Sequence, residues 1–125
     1  MRILLIQEDK LLRELLNQKL TNHSYRVDVA CNGEDGLRAV RLNAPDLIIL
    51  EMMMLGKNGF EIMQELKEDE DLKNIPVIIV FNSGQSEELN KAKKIGVAGW
   101  ILKTELNLSE LIKEIKKIEE SLFKN

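Results

Sequence analysis

Apolar residues along this chain switch repeatedly between a two-residue and a three-to-four-residue period. Residues 2–7, RILLIQ, predict a first strand, and Leu12, Leu15, Leu16 and Leu20 follow at helical spacing with Asp9 placed to cap the helix. Residues 26–30, RVDVA, alternate and predict a second strand. Asn32-Gly33 marks a turn, Leu37, Val40 and Ala44 line a second helix, and Pro45 stops it. Leu47 to Leu50 form a continuous apolar run, the pattern of a strand buried on both faces, which ends at Glu51. After the Gly56–Gly59 loop, Phe60 opens a helical pattern carrying Ile62, Met63 and Leu66, with a solvated charge run from Glu68 to Asp71. Pro76 precedes a fourth strand, Val77 to Phe81, and Asn82, Ser83 and Gly84 read as loop. Ser86 suits the cap of a fourth helix bearing Leu89, Ala92 and Ile95, closed by Lys93, Lys94 and Gly96. Ala98 to Leu102 predict the fifth strand, followed by Lys103 and Thr104. Asn107 with Glu110 has the spacing of a capping box for a last helix carrying Leu108, Leu111, Ile112, Ile115, Ile118 and Leu122.

Strand and helix thus alternate five times. That order predicts an α/β fold with a parallel sheet, right-handed crossovers and the doubly wound strand order 2-1-3-4-5. With 125 residues and no internal linker, one domain over residues 1–125 is expected. The net charge of -3 argues against nucleic acid as the main partner. No apolar run reaches the roughly 20 residues that span a bilayer, and no leader pattern is visible. The single cysteine, Cys31, fits a reducing, cytoplasmic setting and reads as a small apolar residue near a strand end.

Ligands in such sheets bind beyond the carboxyl ends of the strands, at the point where strand order reverses. That point lies between the first and third strands, which end at Glu8-Asp9 and at Glu51. The three carboxylates are expected to converge there, with Lys103 entering from the side. Such a cluster suits a hard cation such as Mg²⁺, and the lysine suits a carboxylate or a phosphoryl oxygen. The plainer alternative makes Glu8-Asp9 a polar turn with a helix cap and Lys103 a surface residue. His23 reads as surface, and Met52, Met53 and Met54 as loop and core filler.

The acidic pair Glu8-Asp9, the apolar strand into Glu51, Gly59 at the third helix, the run Gly96-Val97-Ala98-Gly99-Trp100 and Lys103 stand in an order that resembles the receiver domains of bacterial response regulators, the CheY-like family. The resemblance covers essentially the whole chain. It implies a switch in which a histidine kinase phosphorylates an aspartate at the end of the third strand, the position of Glu51. It implies Mg²⁺ held by Glu8, Asp9, the residue at 51 and the backbone carbonyl of Met53. Phosphoryl contacts would fall at Phe81, Asn82 and Lys103. Trp100 would be the aromatic residue that alters the face of the fourth helix, fifth strand and fifth helix, where a sensor kinase or downstream signalling protein docks.

Four positions depart from the family pattern. Glu51 replaces aspartate, Phe81 replaces Ser or Thr, and Leu55 and Thr104 replace prolines. Glu51 carries its carboxylate about 1.5 Å farther than aspartate, enough to spoil in-line attack, and is placed to pair with Lys103. Phe81 has no hydroxyl, and Ser83 is set too far along to replace it. The favoured expectation is a phosphorylation-independent or phosphomimetic protein-binding module without an output domain, monomeric or weakly dimeric, with weak Mg²⁺ affinity. The alternative is a working Mg²⁺-dependent phosphoacceptor, with glutamate introduced by design as one variant. A flavodoxin-like flavin carrier is remote, because Gln7-Glu8-Asp9 is acidic where a phosphate cradle needs Gly, Ser or Thr.

Overall fold

The computed structural model describes residues 1–82 and 86–123. The elements run β1 (Arg2–Ile6), α1 (Lys10–Asn22), β2 (Arg26–Ala30), α2 (Gly33–Leu42), β3 (Leu47–Glu51), α3 (Gly59–Glu68), β4 (Val77–Phe81), α4 (Ser86–Ile95), β5 (Gly99–Leu102) and α5 (Leu108–Leu122), with a short 3₁₀ turn at Lys103–Glu105. The strands form one parallel sheet in the order β2-β1-β3-β4-β5, the doubly wound arrangement expected from the sequence.

Side-chain alternation along the strands builds two cores. Leu4, Ile6, Ile48, Leu50, Val77 and Ile79 face α2, α3 and α4, where Leu37, Val40, Ile62, Met63, Leu66, Leu89 and Ala92 meet them. Ile3, Leu5, Leu47, Ile49, Ile78 and Val80 face α1 and α5, and pack on Leu16, Leu20, Leu111, Ile112 and Ile115. Every side chain of β3 is buried, as its unbroken apolar run requires. Both edge strands, β2 and β5, are more exposed.

Several expectations shift in detail. β1 ends at Ile6, so Gln7 lies beyond it. Leu15 is exposed, because α1 turns only Leu16 and Leu20 fully inward. Ala44 lies outside α2, whose C-cap is Asn43. Leu122 is also exposed, at the last turn of α5. Cys31 is exposed rather than packed, since it stands just past the end of the edge strand β2. The reciprocal capping box occurs at Asn58 and Glu61, ahead of α3. At α5, Asn107 accepts from the backbone N–H groups of Ser109 and Glu110. Asp9 caps α1 as expected, accepting from Leu12 N–H at 3.2 Å. Ser83 lies outside the described residues. Among the described residues, no helix is long and apolar enough to cross a membrane.

The α3 start is pinned to the strand that precedes it. Gly59 N–H donates to the Met52 carbonyl at 2.7 Å, and a Cβ at Gly59 would lie 2.7 Å from the Glu51 carbonyl oxygen and 2.9 Å from Met52 Cα. Backbone atoms there have nowhere to go. Gly59→Ala should therefore destabilise the fold by about 1–3 kcal/mol, read from urea unfolding.

A surface link joins α2 to α3. Glu65 accepts from Lys57 and pairs with Arg41 at 3.5 Å. The Lys57 hydrogen bond is the main reason that the Glu65 carboxyl sits below its ordinary value of 4.5. Its stabilising contribution is present above that value and is lost as pH falls through the lower folded one. The stability gap between the parent chain and Glu65→Gln should therefore close in acid, as measured by unfolding at a series of pH values.

Candidate functional site

The register of the sheet decides which side chains meet at its carboxyl edge. Ile6 stands opposite Leu50, so the next residues along, Gln7 and Glu51, come level with one another on the α1/α5 side. They are the buried polar and charged residues of the described chain, at 1% and 2% exposure. Gln7 Nε2 donates to Glu51 Oε2 at 2.8 Å. Lys103 Nζ, in the turn after β5, lies 3.1 Å from Glu51 Oε1. Each carboxylate oxygen thus has its own donor, one neutral and one cationic. Among the described residues, no buried side-chain polar atom lacks a hydrogen-bond partner.

Gln7 is held from its other end as well. Its Oε1 accepts from Asp9 N–H at 2.9 Å, which fixes the amide with Nε2 toward Glu51. Arg13, on α1, donates to the backbone carbonyls of Gln7 at 3.0 Å and Glu8 at 3.3 Å, and so closes the turn from outside.

The expected convergence of Glu8, Asp9 and Glu51 does not occur. Glu8 is exposed, and its Oε2 accepts from Leu55 N–H at 2.8 Å across the loop after β3. Asp9 is exposed and spends its carboxylate on the α1 cap. Met53 is about half exposed in the same loop. Among the described residues, no group of three His, Cys, Asp or Glu is gathered that could hold a metal ion. The donor set around Glu51 is an amide and an ammonium, both hydrogen-bond donors, and it does not fit a bound cation.

Lys103 is where the sequence placed it, against Glu51. Asn82 lines a shallow groove with Asp9, Leu12, Lys103 and Thr104, beside the site. Phe81 points elsewhere. It is half-buried, joins the core cluster under α4, and lines a second groove with Trp100 and Leu102. Trp100 is 51% exposed, with Lys93 Nζ of α4 at 3.8 Å from its ring centroid. His23 is exposed at the C-cap of α1, away from these groups in the chain.

The sequence reading passed over Gln7 because it counted the residue in the first strand and in the polar turn after it, and took only the carboxylates Glu8 and Asp9 as site residues. The clue was the position of Glu51. A strand level with it needs one polar residue at its own exit, and in parallel register that residue is the first after Ile6.

Comparison with known proteins agrees with the fold. The response regulator receiver domain model matches residues 3–116.

This chain belongs to the response regulator receiver domain family.

Protein PilH of Pseudomonas aeruginosa is 31% identical over 82% of this chain and 84% of its own length. Transcriptional regulatory protein AfsQ1 of Streptomyces coelicolor is 32% identical over 81% of this chain but only 44% of its own. The chain thus spans less than half of AfsQ1, and about half of a probable transcriptional regulator, ycf27, of Pyropia yezoensis. Among solved structures, the receiver domain of a signal transduction histidine kinase from Syntrophus aciditrophicus superposes with a TM-score of 0.90 at 24% identity, covering 99% of this chain and 93% of that one. Chemotaxis protein CheY4 of Vibrio cholerae gives 0.84 at 22% identity, covering 94% and 97%. These two likenesses carry the fold. The family places the chain in two-component signalling, where receiver domains are signalling modules rather than enzymes, and work with histidine kinases or downstream effectors.

A buried carboxylate with both oxygens engaged has a clear energetic signature. Lys103→Met should cost on the order of 3 kcal/mol, because it leaves the Glu51 charge without its cation. The 24% exposure of the lysine side chain keeps the loss toward the lower end. Adding Glu51→Gln to that variant should recover part of it, a sign of coupling that a double-mutant cycle in urea measures.

Proposed function

We propose that this receiver domain is a protein-binding module whose state is set by an internal ion pair rather than by phosphorylation. The observation that carries the reading is the engagement of both Glu51 oxygens, Oε1 by Lys103 and Oε2 by Gln7. A carboxylate attacking phosphorus needs an oxygen lone pair aimed at its target. Here each oxygen is oriented, and its nucleophilicity lowered, by the donor it faces inside a buried site. Lys103, the residue that would contact an incoming phosphoryl group, already holds the acceptor position itself. Phe81 and Asn82, the other phosphoryl-contact positions, offer no hydroxyl, and the Phe81 ring is committed to the α4 core and its groove.

The pair also explains why Glu51 mimics the phosphorylated state only in part. A carboxylate beside an ammonium is close to neutral, whereas a phosphoryl group brings roughly -1.5 to -2 and three acceptor oxygens. The domain is thus held in one state. Its affinity for Mg²⁺ is weak, since Glu8, Asp9 and Glu51 are each occupied by other donors.

The partner surface of this reading is the face of α4, β5 and α5. Trp100 stands on it half exposed, and with Phe81, Leu102 and Leu111 it lines a groove bordered by Glu105 and Glu114. The partner is a sensor histidine kinase or a downstream signalling protein, met in the cytoplasm by a monomer or weak dimer. The described residues, 1–82 and 86–123, form one receiver fold, and in this reading output passes through contacts of this unit or through a longer protein of which it is a part.

Intact mass after incubation with Mg²⁺ and a small acyl-phosphate donor tests the reading. The chain should gain no phosphoryl group. A gain mapped to Glu51 would make it a working phosphoacceptor and end the proposal. A parallel run on Glu51→Asp shows whether the glutamate alone closes the site.

A further inference from the structure

We infer that Gln7 takes the place of a divalent cation in this receiver domain, so that the carboxyl edge of the sheet is closed by the Gln7 amide and the Lys103 ammonium, and is insensitive to Mg²⁺. The inference deepens the functional reading above by naming the residue that makes the site independent of metal.

The argument begins with charge. Glu51 and Lys103 cancel, and Gln7 adds none, so the buried pocket is close to neutral. A dication entering it would meet one carboxylate, one amide N–H and one ammonium. Two of those three groups present positive hydrogen to it. Mg²⁺ needs six oxygen ligands in near-octahedral array and sheds its water reluctantly. The carboxylates that could supply further oxygens are held in place by backbone N–H groups, Glu8 by Leu55 and Asp9 by Leu12.

Amide orientation is the second point. Gln7 Oε1 would be the natural metal ligand of this side chain. It already accepts from Asp9 N–H at 2.9 Å, and that bond forces Nε2 to face Glu51. Flipping the amide would set its oxygen against the Glu51 carboxylate and its NH₂ against a backbone N–H, two repulsive contacts for two lost bonds. The turn therefore locks the donor inward. A carboxylate at position 7 would reverse this, because it has no donor to offer Glu51 and would repel it. Only a cation between the two could then close the edge.

Mg²⁺ titration followed by thermal unfolding tests this directly. For the unmodified chain, the midpoint in millimolar Mg²⁺ should match that in EDTA within error. The double variant Gln7→Asp/Glu51→Asp should unfold at lower temperature in EDTA and gain several degrees with Mg²⁺, approaching saturation. Ca²⁺ in place of Mg²⁺ should give a smaller gain. If the double variant does not fold, the single variant Gln7→Glu serves, and its midpoint should become Mg²⁺-dependent while Gln7→Met stays independent. An unmodified chain that is stabilised by Mg²⁺ as strongly as the variant overturns the inference. So does a folded variant that ignores the cation. The mass experiment fails separately: phosphorylation at Glu51 without any Mg²⁺ shift would sink the functional reading and leave the role of Gln7 intact.

Discussion

Burying the Glu51 carboxylate is the constraint on which the rest of the site depends. A lone ionised carboxylate in a packed interior is prohibitively costly, and the sheet places Glu51 at the end of its most buried strand. Two donors must therefore arrive from outside β3. Gln7 comes from the end of β1 on one side, and Lys103 from the end of β5, two strands away on the other. The turns that deliver them are secured in their own right. Gln7 is tied to Asp9 N–H, Arg13 braces the same turn, and Asp9 caps α1. The charge at the centre thus sets the conformation of the whole edge.

Period-two alternation carries much of this. Ile3, Leu5 and Gln7 lie along one side of the first strand and its exit, and Leu47, Ile49 and Glu51 along the same side of the third. Each row is apolar inside the sheet and turns polar where the sheet ends. The alternation of strand and helix, the buried central strand, the position of Glu51 and its pairing with Lys103 could all be read from such rows. The role of Gln7 could not, because it hangs on a strand end fixed by hydrogen bonding with the neighbouring chain segments. Gln7 N–H still reaches the Ala30 carbonyl, so the residue looks like strand on one side and like turn on the other. The three carboxylates are not gathered into one cluster for a related reason. Adjacent residues on a turn point in different directions, and local backbone donors at Leu12 and Leu55 claimed Asp9 and Glu8 first. Cys31 and Leu15 were misplaced because hydrophobicity alone does not say which turn of a helix, or which end of an edge strand, is covered.

Glu51 and the face of α4, β5 and α5 are joined by only a short path. Val80 lies opposite Glu51, and Phe81 follows it opposite Leu102, one residue before Lys103. The contacts of Phe81 lie with the α4 core and the Trp100 groove. That placement is consistent with a domain whose face is shaped by packing and whose edge is shaped by fixed charge.

Trp100 is the single tryptophan of the chain, and it sits on that face, half exposed, beneath an ammonium. Indole emission is sensitive to both solvent and nearby charge. The molecule therefore carries one indole reporter, placed on the face of α4, β5 and α5. Excited at wavelengths where Tyr25 does not absorb, this one ring records events at the face without any label.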